Sequence, residues 1–134
     1  MARISINHLA IVVEDMQAAL GFWRDALGLP LGELSRNLSE EVDIAFLPLE
    51  QGEIELLAPI NETSGVARYL AKRGAGMHHI CLEVPDIEIT MQRLRDHAVE
   101  LLNDVPKIDD EGKRYCFIHP KSAFGVLVEL YQLP

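Results

Sequence analysis

Two histidines and two glutamates in this chain recur at nearly one interval. His8 and His79 each head an apolar, strand-like run, in "NHLAIVV" and "HHICLEV", 71 residues apart. Glu55 and Glu129 each lie among aliphatic residues, in "EIELLAP" and "LVELYQL", 74 residues apart. Imidazole nitrogen suits borderline divalent metals, and carboxylate supports six-coordination with positions left for water. Four such donors can form a divalent-metal site. No cysteine joins the set, which disfavours a thiolate-rich structural zinc site. Taken singly, each residue has a plainer reading. A strand histidine is most often a hydrogen-bonded structural residue, and a glutamate on an open sheet face is usually solvated. Repetition of the whole set is what favours a metal.

Strand alternation decides which side chains share a face. In the first run Leu9, Ile11 and Val13 form the expected core face, leaving His8, Ala10 and Val12 opposite. In "HHICLEV" Ile80, Leu82 and Val84 pack, leaving His79, Cys81 and Glu83. Adjacent residues point to opposite faces, so His78 falls on the packing side, where it reaches solvent or caps a loop. In "EIELLA" Ile54, Leu56 and Ala58 pack, leaving Glu53, Glu55 and Leu57. In "VLVELY" Val126, Val128 and Leu130 pack, leaving Leu127, Glu129 and Tyr131. Each half thus offers one His and one Glu on its non-core face. In "EVDIAFL" the same rule packs Val42, Ile44 and Phe46 and leaves Asp43, Ala45 and Leu47 opposite.

The elements that must position these residues repeat as well. Each half opens with the His-led strand and then an acid, Asp15 or Asp86, suited to cap a helix. Helical spacing follows at Met16, Ala19, Leu20, Trp23 and Leu27, and more loosely at Ile87, Met91, Leu94, Arg95 and Ala98. Gly28 suits the end of the first helix. Strand patterning then returns, in "EVDIAFLPL" and "GEIELLAPI" in one half and "KRYCFIHP" and "GVLVELYQ" in the other. The expected fold is α+β, two consecutive βαβββ modules, at about 1–60 and 76–134. A linker at about 61–75 carries a short helix. His97, near a helix end, reads as structural.

Composition narrows the function classes. At 134 residues and 49% hydrophobic the chain can build one folded domain with a core. A net charge of −9 argues against nucleic acid as a partner. It leaves room for an anionic small ligand, because clusters such as "KRG" and "HPKS" are locally positive. No apolar run nears a membrane span of roughly 20 residues, so no membrane partner is expected. The N-terminus lacks secretory-signal features, and Cys81 and Cys116 lack a CxxC spacing. A cytoplasmic protein with reduced thiols is the expectation. No activating base for Cys81 is evident in sequence, so it reads as a small pocket-lining or buried residue.

With these residues in place, the sequence resembles the vicinal oxygen chelate superfamily, and within it the methylmalonyl-CoA epimerases. The resemblance is carried by "NHLAIVVEDMQAALGFWRDALGL", "AFLPLEQGEIELLAPI", "GVARYLAKRGAGMHHICLEVPDI" and "HPKSAFGVLVEL". It implies that the paired modules curl into a half-open β-barrel cleft around a metal. It implies His8, Glu55, His79 and Glu129 as the ligands. The metal is then Co2+ by preference, with Mn2+, Ni2+ or Zn2+ as alternatives. A Glu at position 55 also resembles the ligand set of glyoxalase I. The implied reaction interconverts (2R)- and (2S)-methylmalonyl-CoA through an enolate. Glu129 and Asp43 are the implied proton-transfer residues. His119, Lys121 and Ser122 are candidates to hold CoA, with Lys72, Arg73 and Arg114 behind them. The resemblance also suggests a homodimer.

Three other activities fit the fold. A glyoxalase I-type lyase acting on a glutathione hemithioacetal shares the metal, but "LAIVV" after His8 lacks the Arg-containing run of those enzymes. An extradiol dioxygenase prefers two His and one carboxylate, and Glu55 would be a fourth ligand. A metal-free binding protein of the same fold needs no His/Glu quartet.

Overall fold

The computed structural model describes residues 3–134. The strands are β1 (Ser5–Val12), β2 (Glu33–Asn37), β3 (Val42–Pro48), β4 (Glu53–Pro59), β5 (Gly76–Glu83), β6 (Lys107–Ile108), β7 (Arg114–Ile118) and β8 (Val128–Gln132). The α-helices are α1 (Met16–Leu20), α2 (Gly65–Arg73) and α3 (Ile87–Asp96). The chain divides into two compact units, residues 8–78 and residues 3–7 with 79–134. The helix expected in the linker is α2, and it belongs to the first unit.

Both units have one topology. In the first, strands run in the order β1-β4-β3-β2, with β1 parallel to β4 and the other pairs antiparallel. In the second the order is β5-β8-β7-β6, again with one parallel pair, β5 and β8, followed by antiparallel pairs. The strands belong to an open sheet in a mixed α+β fold. The βαβββ repeat expected from the sequence is present twice.

The helix starts follow local chemistry. Asp15 accepts a hydrogen bond from the Ala18 N–H at 3.1 Å, and Asp86 accepts one from Ile89 at 3.0 Å. Each satisfies one of the donors that a helix N-terminus leaves without an intrahelical partner. Beyond Leu20 the first helix changes character. Gly21–Ala26 is wound as a π-helix, and the Leu27 N–H reaches back five residues to the Phe22 carbonyl at 2.8 Å. The extra residue in the turn rotates the apolar stripe. Leu20 stays in the core, whereas Leu27, expected on the same stripe, is 54% exposed. The chain then turns at Gly28, whose φ of +90° suits a residue without a Cβ.

The first core gathers Val13, Leu20, Ala45, Leu47, Ile54, Leu56 and Ala58, with Ile11, Met16, Ala19 and Trp23 against it. The second gathers Val84, Ile87, Met91, Cys116, Ile118 and Leu130. Most of the alternation holds, and β3 corrects part of it. Ala45 and Leu47 are the core residues, while Ile44 and Phe46 are only partly buried. The ladder gives the reason. Ala45 pairs with Leu56 and Leu47 with Ile54, whereas Phe46 pairs with Glu55. Directly paired residues share a face. Both faces of β3 carry apolar residues, so alternation fits either one, and register put Ala45 and Leu47 in the core. Val126, also expected to pack, precedes β8 and is exposed.

This assignment has a stability consequence. Leu47→Ala should lower unfolding free energy by about 2–5 kcal/mol, as for a fully buried leucine. Phe46→Ala should cost clearly less, because part of that ring already meets solvent. Urea titration of both variants measures the difference, and equal losses would contradict the face assignment.

Candidate metal centre

Each unit holds one imidazole–carboxylate contact, built by the same register. In the first unit Ala10 pairs with Glu55 across the parallel β1–β4 ladder, and His8 stands two residues before Ala10. In the second unit Cys81 pairs with Glu129 across β5–β8, and His79 stands two residues before Cys81. Alternation keeps the His and its neighbour two residues on at one face. The residue beside each Glu is small and fully buried. Ala10 and Cys81 therefore leave room for the carboxylate to lean along the strand to the histidine. His8 Nδ1 lies 3.0 Å from Glu55 Oε2, and His79 Nε2 lies 3.1 Å from Glu129 Oε1.

Burial separates these residues from ordinary surface polar groups. Among the described residues the buried polar ones are His8, Ser64, His79 and Glu129. Ser64 has a structural task, since its Oγ accepts from the Ala67 N–H and caps α2 at 3.1 Å. The other three all belong to the quartet read from the sequence, and the side chain of the fourth, Glu55, is 13% exposed. The face expected to be non-core on β1 is in fact deeply buried, with His8, Ala10 and Val12 each at 1% or less. Imidazole and carboxylate donors held in this way fit a borderline divalent ion.

Asp43 has a different setting. Its carboxylate is gripped by the Arg36 fork, with Nε at 2.7 Å and Nη2 at 3.1 Å. The hydrogen bonds from Arg36 are what chiefly hold the Asp43 carboxyl below its ordinary range; burial opposes them, and the Arg36 charge adds a lesser pull in the same direction. Asp43 does share a face with Ala45 and Leu47, but that is the core face. Its ladder partner is Ala58, and the Glu55 side of β3 carries Ile44 and Phe46. The structure therefore does not place Asp43 on the sheet face that carries Glu55.

The "HPKS" segment forms a 3-10 turn, Pro120–Ala123. The Lys121 N–H donates to His119 Nδ1 at 3.0 Å, and the Glu100 N–H donates to Ser122 Oγ at 2.9 Å. These two side chains shape the loop, and Lys121 is left exposed on it. His97 accepts the structural role expected of it, with Nδ1 2.9 Å from the Arg93 carbonyl at the end of α3. His78, on the opposite face from His79, lies edge-on to Tyr69 and lines a cleft with Ser64 and Arg68. Both cysteines are buried, and burial pushes the Cys116 thiol up to about 11, with help from the Glu129 charge. It stays a neutral thiol near pH 7.

One feature of the second unit was not read from the sequence. Phe117 pairs with Glu129, and Tyr115 pairs with Tyr131, so these rings stand on the Glu129 face. The Phe117 ring meets the His79 imidazole edge to face, with centroids 5.9 Å apart. Tyr115 packs on Phe117 and on Tyr131 at 6.3 and 6.4 Å. Alternation within "RYCFI" carried the signal: Cys116 and Ile118 pack, so Tyr115 and Phe117 face the other way.

The fold and these donors define a class of protein. The family model for the glyoxalase/bleomycin resistance protein/dioxygenase superfamily matches residues 7–117, and the chain belongs to that family. Within it the chain is similar to particular enzymes. It is 41% identical to the ethylmalonyl-CoA/methylmalonyl-CoA epimerase of Cereibacter sphaeroides, over 96% of this chain and 97% of that one. It is 37% identical to the mitochondrial methylmalonyl-CoA epimerase of Bos taurus, over 95% of this chain and 73% of that one. Among solved structures it resembles a methylmalonyl-CoA epimerase in complex with methylmalonyl-CoA and NH4+. That match has a TM-score of 0.85 and 32% identity, over 98% of this chain and 96% of that one.

The Arg36–Asp43 fork predicts a pH dependence. Asp43 has its folded pKa below the ordinary 3.8. Its contribution to stability is therefore complete above that value and is lost as pH falls through the folded pKa. The stability gap between wild type and Asp43→Asn should be small, because Arg36 is exposed and screened. It should shrink further below pH 3.8. Urea titrations at pH 7 and pH 3 test this, and an unchanged gap would count against the fork.

Proposed function

We propose that this protein is a metal-dependent epimerase that interconverts (2R)- and (2S)-methylmalonyl-CoA. The observation that carries the reading is the pair of buried His–Glu contacts, built by one register in both units. Its relatives, named as methylmalonyl-CoA epimerases, support the choice of substrate. His8, Glu55, His79 and Glu129 hold one divalent ion, Co2+ by preference, with Mn2+, Ni2+ and Zn2+ as alternatives. When bound, the ion neutralises, as a Lewis acid, the negative charge that gathers on the thioester oxygen as C2 loses its proton.

The chain's own residues move the proton. Glu129 takes it from C2 on one face, and the C–H electron pair passes into the enolate. A second acid returns a proton to the opposite face, which completes inversion. Asp43 is the candidate for that second acid, on the resemblance. To act, it must leave the Arg36 fork and reach past the core face on which the ladder sets it. Arg36 is exposed on the outer strand β2, so opening the fork itself disturbs no core packing. Lys121 supplies a positive charge for a CoA phosphate or the substrate carboxylate, and His119 and Ser122 hold its loop. The working form is a cytoplasmic homodimer. No helix among the described residues is long and apolar enough to cross a membrane.

Proton NMR of racemic methylmalonyl-CoA in D2O tests the reaction. With Co2+ the C2 proton signal should vanish faster than in an EDTA-treated control. No exchange in protein shown to hold metal would refute the reading and make the hemithioacetal of methylglyoxal and glutathione the next substrate. Glu129→Gln and Asp43→Asn should each slow exchange about 100-fold or more, from opposite enantiomers. Exchange at wild-type rate from both enantiomers in Asp43→Asn would return Asp43 to its structural role.

Metal binding has its own test. Co2+ titration followed by visible absorption should saturate at one ion per chain. His8→Ala and His79→Ala should each weaken binding at least tenfold and abolish the rise in Tm that bound metal gives by linkage. Two independent sites, or binding indifferent to either histidine, would contradict a single shared ion.

A further inference from the structure

We propose that Phe117 sets the size of the C2 substituent that the site accepts. The inference rests on the epimerase reading and deepens it. Phe117 is the direct ladder partner of Glu129, and paired residues hold their Cβ atoms about 4.5–5.5 Å apart on one face. Its ring edge also meets the His79 imidazole, at 5.9 Å between centroids and 85° between planes. Phe117 therefore touches or adjoins both second-unit members of the quartet.

Its burial points the same way. The neighbours of Phe117 along β7, Cys116 and Ile118, are buried in the core, whereas Phe117 keeps part of its surface accessible on the opposite face. Tyr115 packs on its far side at 6.3 Å, which limits how far the ring can swing away. Among the strand residues of that face of the second unit, His79, Glu83, Glu129, Tyr115 and Tyr131 are charged or carry a polar tip. Cys81 is fully buried. Phe117 is the large apolar ring paired directly with the carboxylate, and Leu127 stands two residues before Glu129.

The substrate has a matching asymmetry. Around C2 lie a carboxylate, a thioester carbonyl, the proton and one alkyl group, and only the alkyl group is apolar. Glu129 takes the proton from C2, and turning the alkyl group on that C2 toward the ring that adjoins Glu129 gives it the apolar contact that the charged groups do not. A rigid ring there admits a short chain and meets a longer one with steric overlap. Hydrophobic walls of this kind discriminate by about 10–200-fold per methylene.

The test is a chain-length series. Wild type, Phe117→Ala and Phe117→Leu are assayed with Co2+ bound, on malonyl-CoA thioesters carrying methyl, ethyl, propyl or butyl at C2, by loss of the C2 proton in D2O. For Phe117→Ala the ratio of kcat/KM for butyl over methyl should rise at least tenfold above wild type, with Phe117→Leu between the two. Binding supplies a readout free of turnover. Calorimetric affinities for the inert 2-nitronate analogues of propionyl-CoA and hexanoyl-CoA should shift in the same direction. An unchanged ratio and unchanged relative affinities in either folded variant would overturn the proposal. Phe117→Leu keeps it testable if the alanine variant does not fold. Failure of the epimerase reading appears separately, as no C2 exchange by wild type on any member of the series. The analogue affinities then still decide whether Phe117 limits the substituent.

Discussion

The structure turns on placing an imidazole and a carboxylate about 3 Å apart inside each unit, at His8–Glu55 and His79–Glu129. Buried polar pairs of this kind add little to stability, because desolvation offsets most of their attraction. A chain optimised only for folding would fill those positions with aliphatic residues. Holding the same costly pair twice, on the same strands of a repeated topology, is the mark of a site.

The rest of each unit makes that placement possible. A parallel strand pair brings the His of one strand beside the Glu of the other, and parallel pairing requires a crossover connection. The helices capped by Asp15 and Asp86 lie in those crossovers. Aliphatic residues such as Leu56 and Leu82 bury the opposite faces of the strands against them, which fixes register. A slip of one residue would turn His and Glu to the wrong face. Ala10 and Cys81 complete the arrangement by being small where the carboxylate must lean across.

Beyond the quartet, the second unit departs from a symmetric repeat. Phe117 and the two tyrosines near it give the Glu129 face an aromatic wall. In the first unit the residue that pairs with Glu55 from β3 is Phe46, so both carboxylates have a phenylalanine neighbour. In the second unit that ring, Phe117, meets the His79 imidazole edge to face.

By itself the sequence determined the repeated βαβββ order, both helix caps and one His and one Glu on a shared face of each half. Those features follow from spacing, strand alternation and capping chemistry, which are local. Only the tertiary structure decided the faces of β3, because Ala45 and Ile44 are both apolar and alternation alone cannot say which one meets the helix. The ladder with β4 settled it, and with it the position of Asp43 under Arg36. The π-wound turn after Leu20, which carries Leu27 off the core stripe, was equally invisible, since the sequence pattern assumes 3.6 residues per turn. The contact of Phe117 with His79 joins strands 38 residues apart in sequence, and no local rule reports which strands become neighbours.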